Sequence, residues 1–319
     1  MWKGYPEIQH ELALVDELIN RSISSRNKLL TEVVRDVVSS GGKRLRPALV
    51  IISAKFGDYE RNKVLPMAGA LEILHTATLI HDDIIDRSKV RRGKETVSEK
   101  YGPDMAVYTG DYLFTKAIML LSKDVSIENL EFVAKAIKTI CEGEVDQYQA
   151  RYNIDTSIYS YLKRINRKTA VLFAAACSLG AYIVGCDDNI TKKLARFGIC
   201  YGTAFQIRDD LNDFICDQAS SGKPVIKDIV EGVITLPVIF SMRRNKAIRD
   251  ALSYFTRNKD KTSLDELQEL ALAIRDSGGV KDAGKLLDKY IEKGISALEP
   301  LPDNEYKSLL VKLIKSLAI

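Results

Sequence analysis

The sequence lacks several features that would place the protein in other broad classes. Its five cysteines are an odd number with no CxxC pair, which argues against a disulfide framework and a zinc site. Its 47 basic and 43 acidic residues are interspersed, so no basic stripe marks a nucleic-acid-binding surface. The N-terminus carries charges and a proline where a signal peptide has an apolar run. We therefore expect a cytoplasmic protein that does not bind nucleic acid.

Long apolar runs and strand-like alternation are also missing. The longest apolar stretch, residues 170–185, is too short and too rich in small residues to span a bilayer, so we expect no transmembrane segment. Apolar residues recur instead at helical spacing, and no Pro/Gly/Ser-rich linker interrupts them. These patterns predict an all-α fold with a single domain over residues 1–319. The predicted helices lie near residues 7–22, 27–39, 44–56, 62–86, 104–122, 127–151, 157–186, 190–217, 231–243, 264–275, 279–296 and 303–317.

Two aspartate triplets of identical spacing lie within these helices. They occur in DDIID and DDLND, and their members are Asp82, Asp83, Asp86, Asp209, Asp210 and Asp213. At 100° per residue, positions i, i+1 and i+4 share one helix face, where neighbouring carboxylates repel each other. Hard oxygen ligands in small number suit Mg²⁺. One DDxxD arises by chance in roughly 7% of chains of this length, and two in well under 1%. We therefore interpret the pair as metal ligands and not as a solvated acidic face.

Cationic side chains surround the first triplet in the sequence. Lys43 and Arg46 lie three residues apart in GGKRLRP, just after a Gly-Gly turn. His75 lies seven residues before the triplet, and Arg91 and Arg92 follow it. An Arg pair in a turn is commonly solvated, and a histidine on a helix is commonly a core residue. Together with the triplets, however, these cations indicate two anionic groups bound side by side, because arginine grips phosphate oxygens bidentately.

The order of the motifs carries a family resemblance. GGKRLRP, LHTATLIHDDIIDRSKVRRG, GDYLF, RKTA and FQIRDDLNDF follow one another between residues 41 and 214. In this combination the sequence resembles the trans-isoprenyl diphosphate synthase (polyprenyl synthetase) family. The resemblance implies a helical bundle around a deep central cavity. It also implies Mg²⁺-dependent condensation of isopentenyl diphosphate with an allylic diphosphate, farnesyl diphosphate or shorter, with three ions present when diphosphate is bound.

The resemblance further implies roles for individual residues. The six aspartates would hold the Mg²⁺ ions that bind the allylic diphosphate. The residues expected to contact that same diphosphate are Arg91, Lys168 and Lys223. The residues expected to bind isopentenyl diphosphate are Lys43, Arg46, His75 and Arg92. Thr169 and Gln206 would lie beside the developing carbocation, and no protein nucleophile is required.

One departure from the family pattern bears on the product. Most short-chain members carry a lysine at the position of Val233 in EGVITLP, so one diphosphate contact is missing here. The same absence is typical of the long-chain bacterial subgroup. FGDYERNK, YTGDYLF and LPVIF also resemble the catalytic component of heptaprenyl diphosphate synthases, which make menaquinone side chains.

Product length is expected to depend on the floor of the cavity beneath the first triplet. A helical turn and an isoprene unit are both about 5 Å long, so moving a bulky residue by one turn changes the product by about one unit. Short-chain synthases commonly have an aromatic residue where this chain has Ala77 and Thr78. We therefore predict a product longer than farnesyl diphosphate, of heptaprenyl or hexaprenyl type, with geranylgeranyl diphosphate as the alternative. Leu74, Leu71 or Tyr108 would form a deeper floor.

Two other readings of the motifs are open. A class I terpene cyclase also uses a DDxxD, but its second metal motif mixes Asn, Ser or Thr with Glu at wider spacing. A non-catalytic regulatory subunit typically loses aspartates or the Arg pair, and this chain keeps them all. The sequence does not decide between a homodimer and a heterodimer with a small regulatory subunit, nor whether the chain is active without a partner.

Overall fold

A computed structural model describes residues 2–122, 127–215, 227–258 and 262–319. The described residues are mostly helical, and their only strands are two residues long each and form one hairpin, which confirms the predicted all-α fold. The chain divides into two compact units. One comprises residues 1–135 and 175–195, and the other comprises residues 136–174 and 196–319.

The first unit is built around one long central helix. Its elements in chain order are a 3₁₀ turn (Trp2–Gly4), α1 (Pro6–Ser22), α2 (Lys28–Val38), α3 (Leu45–Ala54), α4 (Arg61–Ile85), β1 (Val90–Arg91), β2 (Lys94–Glu95), α5 (Val97–Tyr101) and α6 (Pro103–Leu121). Helix α4 packs against α1, α3 and α6. Its middle is buried at nearly every position, from Met67 to Leu74. The helix is therefore held on several sides, and its C-terminal end is fixed where the first aspartate triplet begins.

Capping residues fix several helix starts in this unit. The Asn27 side chain accepts a hydrogen bond from the Leu30 amide at the start of α2. Thr96 accepts one from the Glu99 amide at the start of α5, and its hydroxyl donates to the Ser88 carbonyl. Each cap satisfies an amide that the first helical turn leaves without a partner. Thr96 thereby ties α5 to the segment that follows α4.

The second unit contains the remaining elements. In chain order, the helices lying wholly or partly in it are α7 (Ile127–Gln149), α8 (Ile158–Ile165), a π-helical turn (Asn166–Ala170), α9 (Val171–Tyr182), α10 (Asp188–Ile215), α11 (Lys227–Val230), α12 (Leu236–Arg244), α13 (Lys246–Arg257), α14 (Leu264–Asp276), α15 (Gly279–Leu298) and α16 (Glu305–Lys315). Within this unit α12 packs against α15. The unit boundaries at residues 135, 174 and 195 fall inside α7, α9 and α10.

Two glycines allow α10 to lie directly on the chain around the π-helical turn. A Cβ at Gly202 would lie 2.5 Å from the Ala170 Cα, and one at Gly198 would lie 2.6 Å from the Ala174 Cα. Any larger residue at either position would push the backbones apart. The Phe173 ring extends this contact, because its centroid lies 5.3 Å from that of Tyr201. The close approach places Gln206 and the second aspartate triplet beside α8 and the π-helical turn.

The structure differs from the predicted helices at a few points. The helix predicted at 157–186 ends at Tyr182 and contains the π-helical turn. The helix predicted at 231–243 begins only at Leu236, after a turn in which Gly232 has a left-handed φ of +76°. Residues 246–257 form a helix that was not predicted, as do residues 97–101, and the turn after the first triplet is flanked by strands. Apart from the 12-residue helix at Lys246–Arg257, these differences involve a short element or a local change within a predicted helix.

Among the described residues, one helix meets the length and composition of a membrane span. This helix is α4 and not the apolar stretch at residues 170–185 that was considered above. However, 72% of its apolar window is buried inside the protein. A helix buried to this extent is typical of the core of a folded protein. The charged side chains in its last turn belong to the site described next.

Candidate active site

The first aspartate triplet straddles the C-terminal end of α4. Asp82 and Asp83 occupy its last turn, and Asp86 is its C-cap, with the Asp86 amide donating to the Asp82 carbonyl at 2.8 Å. Asp83 is buried, with 6% of its surface exposed. The Arg91 Nε lies 2.8 Å from Asp83 Oδ1 and 3.0 Å from Oδ2. The first triplet is therefore tied to the Arg pair that follows it.

Arg91 and Arg92, at the β-hairpin, contact different parts of the site. Its register pairs Val90 with Glu95 and Arg91 with Lys94. Arg92 follows β1 with a φ of +52°, a left-handed conformation that is uncommon outside glycine. Its guanidinium donates to the Gly41 carbonyl, at the start of GGKRLRP. The reversal of the chain thus directs Arg91 to the triplet and Arg92 to the Gly-Gly turn.

A cavity of about 390 Å³ in the first unit brings several predicted residues together. The predicted residues that line it are His75, Asp83, Arg91 and Arg92. Lys94, Lys100 and Arg44 add further cations. Lys43 is exposed and Arg46 is half-buried, and neither of these described residues lines the cavity. The cavity is therefore rich in cations, as a diphosphate site requires.

His75 is held in its neutral form inside this cationic surrounding. Burial lowers the pKa of its imidazole well below 6.5, and the nearby charges of Arg46, Arg92, Arg91 and Arg44 lower it further. A neutral imidazole has one N–H donor and one acceptor nitrogen. His75 can thus donate a hydrogen bond to a phosphate oxygen, while the arginines supply the positive charge.

Arg44 and Glu72 line the same cavity and were missed from the sequence. Arg44 Nη1 donates to Glu72 Oε1 at 2.8 Å, Nη2 donates to the Val38 carbonyl at 3.1 Å, and Nε lies 2.9 Å from Asp16 Oδ1. Burial opposes the charge on Arg44, but the Glu72 carboxylate stabilises the cation, so the pKa of the guanidinium is raised. Arg44 therefore fixes the GGKRLRP segment between α1, α2 and α4. Only the position of Arg44 within GGKRLRP could have pointed to it. Lys43 and Arg46 were selected because they lie three residues apart, a spacing that does not include Arg44.

The second triplet occupies the last two turns of α10. Asp209 and Asp213 are exposed, whereas Asp210 is buried with 6% of its surface exposed. Burial raises the pKa of Asp210 to about 7, although hydrogen bonds from Tyr161 and Gln206 oppose the shift. Neighbouring carboxylates add to this electrostatic cost.

A further carboxylate, Asp228 in α11, belongs to the same acidic cluster. Burial, followed by the charges of Asp210, Asp213, Glu231 and Asp209, raises the pKa of Asp228 to about 8. Sequence reasoning missed it, because a single aspartate beyond the DDLND motif carries no spacing signal. Besides burial, repulsion between neighbouring carboxylates therefore raises the pKa of both Asp210 and Asp228.

The residues predicted near the carbocation are linked to this triplet by hydrogen bonds. Thr169 Oγ1 donates to Gln206 Oε1 at 2.8 Å, and Gln206 Nε2 donates to Asp210 Oδ1 at 2.9 Å. Lys168 lies beside Thr169 in the π-helical turn, and its Nζ forms an ion pair with Glu144 at 2.9 Å. Lys223, predicted on the same diphosphate, lies outside the described residues.

Comparison with known proteins decides the family. The polyprenyl synthetase family model matches residues 27–274. The chain belongs to the polyprenyl synthetase family. It is 36% identical to heptaprenyl diphosphate synthase component 2 of Geobacillus stearothermophilus, over 96% of this chain and 94% of that one.

Solved structures give the same result. The heptaprenyl diphosphate synthase of Staphylococcus aureus superposes with a TM-score of 0.92 at 35% identity, over 98% of each chain. A geranylgeranyl pyrophosphate synthase from Lactobacillus brevis gives a TM-score of 0.93 at 30% identity, over 99% of this chain and 98% of that one. The predictions of the family and of a prenyltransferase are confirmed. Polyprenyl synthetases use isopentenyl diphosphate and an allylic diphosphate, and they generally depend on Mg²⁺.

The carboxylates of this polyprenyl synthetase fit such an ion. Both triplets lie at the C-terminal ends of helices, where the helix dipole disfavours negative charge and favours a cation. Among the described residues, no three or more His, Cys, Asp or Glu side chains form a group that would hold a metal by themselves. An open site in which phosphate oxygens and water complete the coordination is the arrangement that Mg²⁺ prefers.

The residues predicted to control product length lie along α4, with one exception. Ala77, Leu74 and Leu71 are buried, with 0%, 2% and 0% of their surfaces exposed. Thr78 is half-buried, and its hydroxyl donates to the His75 carbonyl at 2.8 Å. Tyr108 in α6 is 65% exposed.

Proposed function

We propose that this polyprenyl synthetase condenses isopentenyl diphosphate with an allylic diphosphate to make an all-trans polyprenyl diphosphate of heptaprenyl or hexaprenyl type. The cation-rich cavity beside the first triplet is the observation that carries the assignment of a diphosphate substrate. The product length rests on the heptaprenyl relatives and on the small residues at positions 77 and 78. A cytoplasmic location and a menaquinone side chain as the use of the product are part of the proposal.

In this proposal the residues around the cavity bind isopentenyl diphosphate. The neutral His75 donates a hydrogen bond to a phosphate oxygen, and Arg92 grips the diphosphate from the turn after β1. Lys43 and Arg46 complete the set from GGKRLRP. These contacts hold the double bond in position for attack, and such positioning lowers the entropic part of the barrier.

The allylic diphosphate is assigned to the two triplets and to Arg91, Lys168 and Lys223. Magnesium ions bound by Asp82, Asp83, Asp86, Asp209, Asp210 and Asp213, three in number, would neutralise the leaving diphosphate. Arg91 and Lys168 would exchange their present carboxylate partners for phosphate oxygens as the substrate binds. Thr169 and Gln206 present oxygens that stabilise positive charge on the allylic carbon. The proton lost at the end goes to the departing pyrophosphate.

Incubating the purified chain with Mg²⁺, isopentenyl diphosphate and farnesyl diphosphate, followed by chain-length analysis, tests the proposal. We expect products longer than farnesyl diphosphate, and no product after EDTA treatment. Asp82→Asn should abolish most activity, whereas Asp104→Asn, an exposed aspartate in the first turn of α6, should not. Geranylgeranyl diphosphate as the sole product would select the shorter-chain alternative.

A second candidate is a catalytic subunit that needs a partner. The name of the Geobacillus stearothermophilus relative, heptaprenyl diphosphate synthase component 2, favours it. In that case the chain alone forms no product, and adding the small subunit of a two-component synthase restores it. Absence of product with and without that subunit would contradict the enzymatic proposal.

A further inference from the structure

Asp210 differs from the other two members of its triplet. Asp209 and Asp213 are exposed, whereas Asp210 is buried beneath them in the second unit. Charged groups are rarely buried unless they are paired or hydrogen-bonded. The protein must therefore supply partners to this carboxylate, and those partners set its orientation.

Two side chains donate hydrogen bonds to Asp210, one to each carboxylate oxygen. The Tyr161 hydroxyl in α8 donates to Oδ2 at 2.6 Å, a short contact typical of a hydroxyl on a carboxylate. Gln206, one turn earlier in α10, donates to Oδ1 at 2.9 Å. Each oxygen thus accepts one hydrogen bond and keeps further lone pairs. With both oxygens held, the carboxylate plane cannot turn, and the remaining lone pairs point in fixed directions.

Tyr161 is itself locked in place. Its side chain is fully buried, with 0% of its surface exposed. The Arg164 guanidinium lies 5.6 Å from its ring centroid and donates to the Ile234 carbonyl at 2.8 Å. The phenol therefore has little freedom to leave Asp210. Tyr161 lies outside the motifs named from the sequence, and its contact with Asp210 joins residues 49 positions apart.

We propose that Tyr161 is a positioning residue for the second aspartate triplet, holding the Asp210 carboxylate in the orientation that receives Mg²⁺. The inference rests on the proposed function, which places Mg²⁺ at this triplet. Residues that orient a metal ligand from behind typically change metal affinity by 10- to 100-fold when they are removed. Tyr161 touches neither substrate nor metal in this role and acts only through Asp210.

Tyr161→Phe tests the inference, because it removes one hydroxyl and keeps the ring. Binding of Mn²⁺ in the presence of inorganic pyrophosphate is measured from the electron paramagnetic resonance signal of free Mn²⁺, without turnover. We expect the affinity to fall by about tenfold or more. Tyr152→Phe is the matched control, since it removes a hydroxyl in the same unit that donates to the Val230 carbonyl at 2.9 Å. Its Mn²⁺ affinity should equal that of the wild type.

A double-mutant cycle shows whether Tyr161 acts through Asp210. On an Asp210→Asn background, Tyr161→Phe should cause no further loss of Mn²⁺ affinity, whereas its effect should add to that of Asp82→Asn in the first triplet. In steady-state assays Tyr161→Phe should raise the Mg²⁺ requirement and leave the KM for isopentenyl diphosphate unchanged. A general loss of structure would not raise the Mg²⁺ requirement while leaving the KM for isopentenyl diphosphate unchanged.

The outcomes separate the inference from the proposed function. Wild-type affinity in a folded Tyr161→Phe variant, or an effect that persists undiminished on the Asp210→Asn background, overturns the inference and leaves the proposed function intact. Absence of Mn²⁺ binding by the wild type with pyrophosphate overturns both. If Tyr161→Phe does not fold, Gln206→Met removes the other grip on the same carboxylate and should give a loss of the same order.

Discussion

Removing one partner of the buried ion pair between Arg44 and Glu72 should destabilise the first unit strongly. Only 14% of the Arg44 side chain and 8% of the Glu72 side chain are exposed, and their atoms meet at 2.8 Å. Leaving one charge of a buried pair without its partner costs about 3 to 5 kcal/mol. In Glu72→Met the partly exposed Asp16 still faces Arg44, and in Arg44→Met the charge of Arg92 still acts on Glu72, so we take the lower end of this range for each variant. Arg44→Met and Glu72→Met should each cost about 3 kcal/mol.

The double substitution should cost much less than the sum. With both charges gone, methionines fill the space, and the main remaining loss is the hydrogen bond to the Val38 carbonyl. We expect about 2 to 3 kcal/mol for the double variant, compared with about 6 if the effects were additive. Arg44 has a left-handed φ of +48°. Arginine and methionine are equally disfavoured in this conformation, so the backbone strain does not contribute to the difference in stability between the wild type and the variant.

Thermal unfolding followed by circular dichroism measures these differences. In a unit of this size each kcal/mol lowers the melting temperature by about 2 to 4 °C, so each single substitution should lower it by about 6 to 12 °C. Arg21→Met is the matched control, because its pair with Glu17 has side chains that are 81% and 61% exposed. Exposed pairs contribute at most about 1 kcal/mol. Single variants with the melting temperature of the wild type would refute the reasoning. A double variant whose destabilisation equals the sum of the two single effects would also refute it.

Three further substitutions test other parts of the site. Ala77→Phe adds a ring at a buried position of α4 and should shift the products toward shorter chains in a chain-length assay; an unchanged spectrum would count against a floor at this level. Because folding keeps His75 neutral while the unfolded chain protonates near pH 6.5, the free energy of unfolding should fall as the pH drops from 7 to 5. His75→Gln removes this contribution, so the free energy of unfolding of the variant should depend less on pH, by up to about 1.4 kcal/mol per pH unit, and a slope equal to that of the wild type would contradict the neutral histidine. Val233→Lys supplies the charge that this chain lacks, and it should lower the KM for the allylic diphosphate by up to about tenfold without changing that for isopentenyl diphosphate. Steady-state kinetics with each substrate varied in turn would show this split, and an unchanged KM would mean that the new ammonium group does not reach the diphosphate.

Much of the fold could be predicted because the helices are long and their apolar spacing is regular. Helix α4 was expected at 62–86 and is observed at Arg61–Ile85. The misses have local causes that spacing does not reveal. A left-handed φ at Gly232 delays the start of one predicted helix to Leu236, and the hairpin after the first triplet has strands of only two residues.

The sequence predicted the charged residues of the site better than the contacts that hold them. The triplets and the arginines could be found because like residues recur at fixed spacing. Tyr161, Glu72 and Asp228 come from separate elements and acquire their partners only when the chain folds. The pairing of Lys168 with Glu144 likewise joins residues 24 positions apart, which no local pattern predicts.

The π-helical turn at Asn166–Ala170 sets the rotational phase of the helix on either side of it. In a regular α-helix, Tyr161 and Thr169 would point about 80° apart around the axis. The wider turn, in which the Val171 amide reaches back to the Asn166 carbonyl, takes up part of that angle, and both side chains reach α10. Deleting one residue here would restore a uniform helix but rotate α8 by about 100° relative to α9. Tyr161 could then no longer bind Asp210 while Thr169 binds Gln206. The site therefore requires this number of residues in the turn as well as the aspartates themselves.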